Sequence, residues 1–321
     1  MTQYSVLVPF VPRRPEQLLP YAGLVSFTPA ARLWQAQSML VEAHQGFAYA
    51  AGAGFRVPAG LGVTLMGLRH PYEAALQARS VALTTGHPVV AGFGPGPAEF
   101  QEAVLERPYP KPLRAVREYL TAVRRLVDGE LAVVDGEYLS SRALLPPVPT
   151  PEVQVGLGVL RPAMARLAGE LADRAITWLT PAGYLRETLV PALREGAERA
   201  GRAAPRITAM VPMAVAADDR DPVQLALTAN RAHLAVPHYV DMLNRAGAGI
   251  TPQDGPEARA GKLVDCGAFL YGTPALLAER CAAYADAGAD EIVIALNGVH
   301  GLYGQRTALA ELAALIAEFT G

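Results

Sequence analysis

The 321-residue sequence contains only two cysteines, Cys266 and Cys281. With no second pair they cannot build a disulfide framework or a four-cysteine zinc site, and Cys281 reads as core beside Leu277 and Tyr284. Charge is sparse as well. Charged residues make up 18% of the chain and sum to −2, and no basic cluster reaches the density a phosphate backbone demands, which argues against nucleic acid. No apolar run approaches the roughly 18 residues that a membrane helix needs. The start, MTQYSVLVPFVPRR, lacks the basic-then-apolar layout of a signal peptide, so a cytoplasmic location is expected. Also missing are His-Glu-x-x-His, paired Cys-x-x-Cys, a Gly-x-Ser-x-Gly elbow and a Walker A loop. His233 and His238 are five apart and do not share a helix face as zinc ligands would, so no metal site is expected.

Apolar residues, by contrast, make up 51% of the chain, enough for a large core. They are arranged in alternating periods. Strand-like runs fall at Tyr4 to Val11, Arg32 to Ser38, Leu61 to Met66, Pro88 to Phe93, Val153 to Gly158, Ala175 to Leu179, Arg206 to Ala216 and Ile292 to Leu296. Helical stripes lie between them, the clearest being Leu113, Val116, Leu120, Val123 and Val127. This alternation predicts one (β/α)8 barrel over residues 1–321. Asp135-Gly136 marks a short hairpin, and a longer insertion follows the seventh strand. Function in such barrels gathers at the C-terminal ends of the strands.

One stretch carries the most chemistry. VQVGLGVLRPAMARLAGELADRAITW, residues 153–178, reads as strand, short glycine-bearing turn, helix opening on Pro162, and second strand. The helix's first N–H groups, with the dipole behind them and Arg161 beside them, favour a phosphate. Alternatively, the glycines only make room for a tight turn and Arg161 is a solvated surface residue. In Arg32 to Ser38, Gln35 and Gln37 stand where a buried strand should be apolar, making its end either a site wall or a wet edge. The run GFGPG is no dinucleotide fingerprint, because Pro95 interrupts it. With no nucleophile or metal announced, this composition suits an enzyme whose cofactor does the chemistry.

The stretches LWQAQS, GLGVTLMGLRHP, TTGHPVVAGFGPG, PLRAVREYLTAVRRLVDGELAVVDGEYL, VGLGVLRPAMARLAGELADRAITWLTP and FLYGTPALLAERCAAYADAGADEIVI resemble the bacterial luciferase-like family of flavin and deazaflavin oxidoreductases over nearly the full length. The resemblance implies a barrel with a cofactor at its C-terminal mouth, often a homodimer, and a non-proline cis peptide bond at Gly62-Val63. It places the cofactor phosphate on Gly158, Val159, Leu160 and Arg161 and the ring near Gly62, Val63, Gly92 and Gly94, with Gln37 and Trp178 as further candidate cofactor contacts. Deazaflavin sugar-phosphate dehydrogenases of the family carry Asp-His where this chain has Gln37-Ser38, and Pro95 replaces an acid that can follow the glycine pair. Oxidation of an alcohol, which needs a proton acceptor at the hydroxyl, is therefore disfavoured.

The leading expectation is an oxidoreductase using reduced coenzyme F420 to transfer hydride to an activated C=C or C=N bond. Its substrate would be a small molecule or a natural product, dehydroamino-acid peptides included. Ser38, Glu42 and His44 are the candidate catalytic groups, while His238, Tyr239, Met242 and His300 are candidate substrate contacts. An FMN-dependent monooxygenase is the alternative. A non-catalytic flavin-binding barrel is a third reading. The segment from His233 to Ile250 is expected to cover the mouth as a lid, or else to seal a dimer interface.

Overall fold

The computed structural model describes residues 2–320. Eleven strands lie in it: β1 (Gln3–Leu7), β2 (Leu33–Gln35), β3 (Ala59–Leu65), β4 (Val89–Gly94), β5 (Ala132–Asp135), β6 (Ser140–Ala143), β7 (Val153–Gly158), β8 (Arg174–Trp178), β9 (Arg206–Val215), β10 (Leu270–Gly272) and β11 (Glu291–Ala295). Eight of them close a parallel ring in the order β11-β1-β2-β3-β4-β7-β8-β9, with β9 returning to β11. All eight strand candidates read from the sequence are in that ring, and the fold is a (β/α)8 barrel.

The local chemistry explains the elements. Strands covered on both faces read as continuous apolar runs, and every residue of β4 and β11 is buried. Helices open on proline at Pro71, Pro112, Pro162, Pro222, Pro237, Pro256 and Pro274, where the missing N–H has no intrahelical partner to lose. Caps add to this. The His70 Nδ1 accepts the Tyr72 N–H, and Thr273 Oγ1 accepts from Leu276. In the helix Pro274–Asp286, Leu277, Cys281 and Tyr284 are all buried, and burial pushes the Cys281 thiol up to about 12.

Three details differ from the sequence reading. The hairpin β5–β6 turns through four residues, Gly136 to Leu139, rather than through a two-residue Asp-Gly turn. The cause lies outside the hairpin: the Glu118 carboxylate, on the helix Pro112–Val127, accepts the N–H groups of Glu137, Tyr138 and Leu139. A Cβ on residue 136 would lie 2.3 Å from the Glu118 Cδ, so glycine is required there. Second, the expected strand from Arg32 to Ser38 pairs only over Leu33–Gln35. Trp34 fills the barrel interior, while Gln35 turns outward under the helix Ala43–Gly52 and is no site wall. Third, β10 lies in the insertion and pairs with the far end of β9, whose ten residues outreach β11.

The insertion supplies helices Pro222–Leu234, Pro237–Arg245 and Pro256–Asp265. Among the described residues no helix is long and apolar enough to cross a membrane.

Candidate active site

The barrel interior is layered. At its N-terminal end Ser5, Arg174, Thr208 and Glu291 are buried and polar. Above them Leu7, Trp34, Val90, Ile176, Met210, Val293 and Ala295 form a small apolar cluster, topped by the half-buried Val63 and Trp178. The mouth begins at that upper layer.

Between β3 and β4 the register slips between Leu61 and Thr64, a bulge that contains the cis peptide bond Gly62-Val63. Gly62 and Val63 are both partly open to solvent at the mouth. Gly92 and Gly94 are buried instead. A Cβ at Gly92 would meet the Leu61 carbonyl oxygen at 2.3 Å and Ile176 at 2.5 Å, so this glycine makes room for barrel packing and not for a ring. Gly94 likewise faces Val63, at 3.1 Å from an added Cβ.

The turn after β7 splits in two. The Val159 N–H is consumed by the Ile176 carbonyl at 2.8 Å and its side chain is core, so Val159 offers nothing to a phosphate. The N–H groups of Leu160 and Arg161 have no acceptor among the described residues. The Leu160 carbonyl accepts from the Tyr184 hydroxyl at 3.3 Å, which fixes the turn. Helix Pro162–Leu171 then starts without a side-chain cap. Half-exposed Arg161 pairs with Asp241 at 3.4 Å, and Asp241 is shared with Arg245 at 3.1 Å. Beside this turn, a cavity of about 310 Å³ is lined by Ala98, Glu99, Arg161, Val236, Pro237, His238 and Asp241.

The candidate catalytic residues are drawn together on the opposite side, after β2. Glu42 caps the helix Ala43–Gly52 through the His44 N–H at 2.7 Å, and its carboxylate also contacts His44 Nδ1 at 2.9 Å. Arg69, which the sequence reading passed over, bridges Glu42 at 3.1 Å and Gln37 at 3.5 Å. Burial alone would push the Glu42 carboxyl up, but the His44 hydrogen bonds and the Arg69 charge hold it below its usual range. An ionised carboxylate so surrounded orients His44 and is not a proton donor. Ser38 Oγ accepts the N–H groups of Leu40 and Val41, which leaves its own hydrogen free to donate.

The insertion reaches the mouth through one aromatic chain. Trp178 lies 5.4 Å from His233, which meets Tyr239 edge-on at 4.9 Å, and Tyr239 is 4.9 Å from His238. Met242 is fully buried in the core and cannot touch a substrate at the mouth. His300 stacks on Phe10 at 4.5 Å, on the rim beyond β1. His233 was not among the candidate contacts. Burial, helped by His238, lowers it to about 4, so it is neutral at pH 7. Just after Trp178, Leu179 is held at φ 56°, a conformation that costs a non-glycine residue about 1–3 kcal/mol and is concentrated at functional sites.

The model of the luciferase-like monooxygenase family matches residues 21–291. The chain belongs to this luciferase-like family. Among curated relatives, the F420-dependent glucose-6-phosphate dehydrogenase of Beutenbergia cavernae is 32% identical over 196 residues, covering 58% of this chain and 57% of that protein. The same-named protein of Nakamurella multipartita is 33% identical over 139 residues, 41% of each chain. The match therefore spans only about half the length of these curated relatives. An F420-dependent secondary alcohol dehydrogenase, solved with an F420–acetone adduct, superimposes with a TM-score of 0.74 at 18% identity, covering 99% of both chains, which shows the shared fold.

Against the luciferase-like pattern, Gln37, Gly62, Val63, Gly158, Arg161 and Trp178 stand at the mouth, while Gly92, Gly94 and Val159 are withdrawn into packing. The chain's own residues fit a phosphate-tailed ring: unpaired N–H groups and Arg161 at one end, the Gly62-Val63 bulge and Trp178 at the other. What sequence reasoning missed, Arg69 and His233, carried no local signal. Each matters through partners on other elements.

Proposed function

We propose that this protein uses reduced coenzyme F420 to transfer hydride to an activated C=C or C=N bond of a small-molecule or natural-product substrate. Dehydroamino-acid peptides fall within this class. The deazaflavin part of the reading is supported by the two F420-dependent relatives, and its place by the turn after β7, where the Leu160 and Arg161 N–H groups lack acceptors among the described residues. When bound, the cofactor supplies the hydride. The residues around it do the rest: Leu160, Arg161 and the helix N-terminus hold the phosphate, Gly62 and Val63 back the ring, and Trp178 closes one side.

The direction of reaction follows from the observation that carries this reading. Where a proton acceptor would be needed to oxidise an alcohol, the chain has Ser38, whose hydroxyl oxygen already accepts the Leu40 and Val41 N–H groups at 3.0 and 3.2 Å, and beside it the Gln37 amide is tied to Arg69 at 3.5 Å and to the Ser38 carbonyl at 2.9 Å. The Glu42 carboxylate is saturated by His44 and Arg69. Reduction asks only for one proton, which Ser38 or water can donate.

Titrating the purified protein with F420 and with FMN while following cofactor fluorescence tests this. Saturable F420 binding is expected. Arg161→Ala should weaken that binding by about 10- to 100-fold, the worth of one charge-assisted contact of roughly 1.5–3 kcal/mol, with unfolding unchanged. The family's description as monooxygenases supports a second reading, with FMN in the same place and oxygen as co-substrate. Tight FMN binding without an F420 response, together with oxygen uptake, would establish it instead.

A further inference from the structure

We infer that Trp178 and His233 form a two-donor cradle for a carbonyl oxygen of the substrate, so that the bond reduced is a C=C conjugated to that carbonyl. This rests on the hydride-transfer reading above and narrows its substrate class to α,β-unsaturated carbonyl compounds.

The observation is a pair of unused nitrogens. Trp178 Nε1 and His233 Nδ1 are both enclosed, and neither has a hydrogen-bond partner among the described residues. Their rings are neighbours, with centroids 5.4 Å apart at 45°. An indole N–H can only donate. A buried donor without an acceptor is costly, and native proteins keep few of them. Two such nitrogens on neighbouring rings can share one acceptor with two lone pairs, and a carbonyl oxygen has that valence. The positions are held from elsewhere: Leu179 at φ 56° sets the backbone behind Trp178, and Tyr239 meets the imidazole edge-on at 4.9 Å. Burial keeps His233 neutral at pH 7, so its Nδ1–H tautomer can donate without bringing a full charge. One turn earlier on the same helix, the fully enclosed Asn230 also leaves its Oδ1 without a partner among the described residues.

The chemistry follows. Hydride adds to the β-carbon, the C=C electron pair moves toward the carbonyl, and negative charge grows on the oxygen that Trp178 and His233 hold. Donors fixed where charge develops stabilise the transition state more than the ground state. The enolate then collapses by taking a proton at the α-carbon from Ser38 or water. Substrate gains a hydride and a proton, and the reduced deazaflavin loses two electrons. The His233 Nδ1 is covered and Tyr239 lies edge-on against its ring, so the carbonyl reaches the cradle only when the helix Pro237–Arg245, which carries Tyr239, lifts. That movement breaks the Arg161–Asp241 pair, while Asp241 keeps Arg245 as a partner.

The test uses the full chain with 2-cyclohexen-1-one as probe, without cofactor, and reads the carbonyl stretch of the bound enone by difference infrared spectroscopy. A shift to lower frequency is expected in the unaltered protein. It should be reduced in Trp178→Phe and in His233→Phe, lost in the double variant and largely retained in His233→Gln, which keeps a donor. With reduced F420 present, each phenylalanine variant should slow single-turnover reduction of the enone about 10²-fold. Circular dichroism confirms that each variant is folded. An enone frequency identical in all variants, or an enone bound no more tightly than cyclohexene, overturns the cradle. Failure of F420 to bind the unaltered protein would instead sink the parent reading, because the infrared measurement needs no cofactor.

Discussion

The two ends of the barrel treat buried polar groups in opposite ways. At the N-terminal end Glu291, with no exposed surface, accepts from Ser5 at 2.6 Å and from Trp34 Nε1 at 2.7 Å. It also pairs with Arg174 at 3.1 Å and Arg32 at 3.5 Å. At the mouth, Trp178 Nε1 and His233 Nδ1 have no partner among the described residues. The chain's two tryptophans therefore make a controlled contrast, since the same indole N–H is satisfied below and unsatisfied above. Polar groups that satisfy one another close the barrel, while groups left unsatisfied are available to something else. The strand-end glycines belong to the packed interior: an added Cβ at Gly92 would meet the Leu61 carbonyl oxygen at 2.3 Å, and one at Gly62 the Met210 methyl at 2.0 Å and the Trp34 ring at 3.0 Å, although Gly62 is partly open to solvent where Gly92 is buried.

The sharpest way to break the contrast is at the bottom. Glu291→Ala would leave Arg174 enclosed without its counter-charge and is expected to cost about 3–5 kcal/mol of stability, read by denaturant unfolding. If it unfolds no more easily than the unaltered protein, the network is not what closes that end.

Next in size is a pH effect at the mouth. The unfolded chain takes up a proton on His233 near pH 6.5, whereas the folded chain resists until about 4. Stability should therefore fall as pH drops through that window, by about 2 kcal/mol between pH 7 and 5, and should not fall above it. His233→Phe should flatten most of the slope. A slope unchanged in that variant would place the proton uptake on another group.

The smallest effects separate the glycines. Gly92→Ala drives a methyl into the Leu61 carbonyl and Ile176 and should cost about 1–3 kcal/mol. Gly62→Ala meets the Met210 methyl end, which can rotate away, and the Trp34 ring at 3.0 Å, which needs only a small shift, so its cost should stay below that of Gly92→Ala, at about 1 kcal/mol. Equal stability losses would mean that the Met210 side chain cannot move aside.

Much of this was legible in the residues. Every barrel strand announced itself by its period, because a strand buried on both faces must be apolar along its whole length. The turn from Gly158 to Pro162 showed that a helix N-terminus follows a strand directly, because proline and the lack of a capping side chain are local features. Gln35 shows where such reading stops. A glutamine in a strand points to a wet face, yet this one is buried under a neighbouring helix, and only the placement of that helix decides it. Met242 fails for the same reason: its sequence neighbours suggested a lid, and its packing made it core.

By itself, then, the sequence determined the alternation of strand and helix, the hairpin's place and the uncapped helix beside Arg161. Those depend on periodicity and on residues a few positions apart, where sequence distance and spatial distance agree. Only the tertiary structure decided which glycine is open to solvent, that Arg69 joins Glu42 to Gln37, and that His233 meets Trp178. Closing a ring brings chemically unlike neighbours together from distant parts of the chain, and no local pattern records which of them will meet.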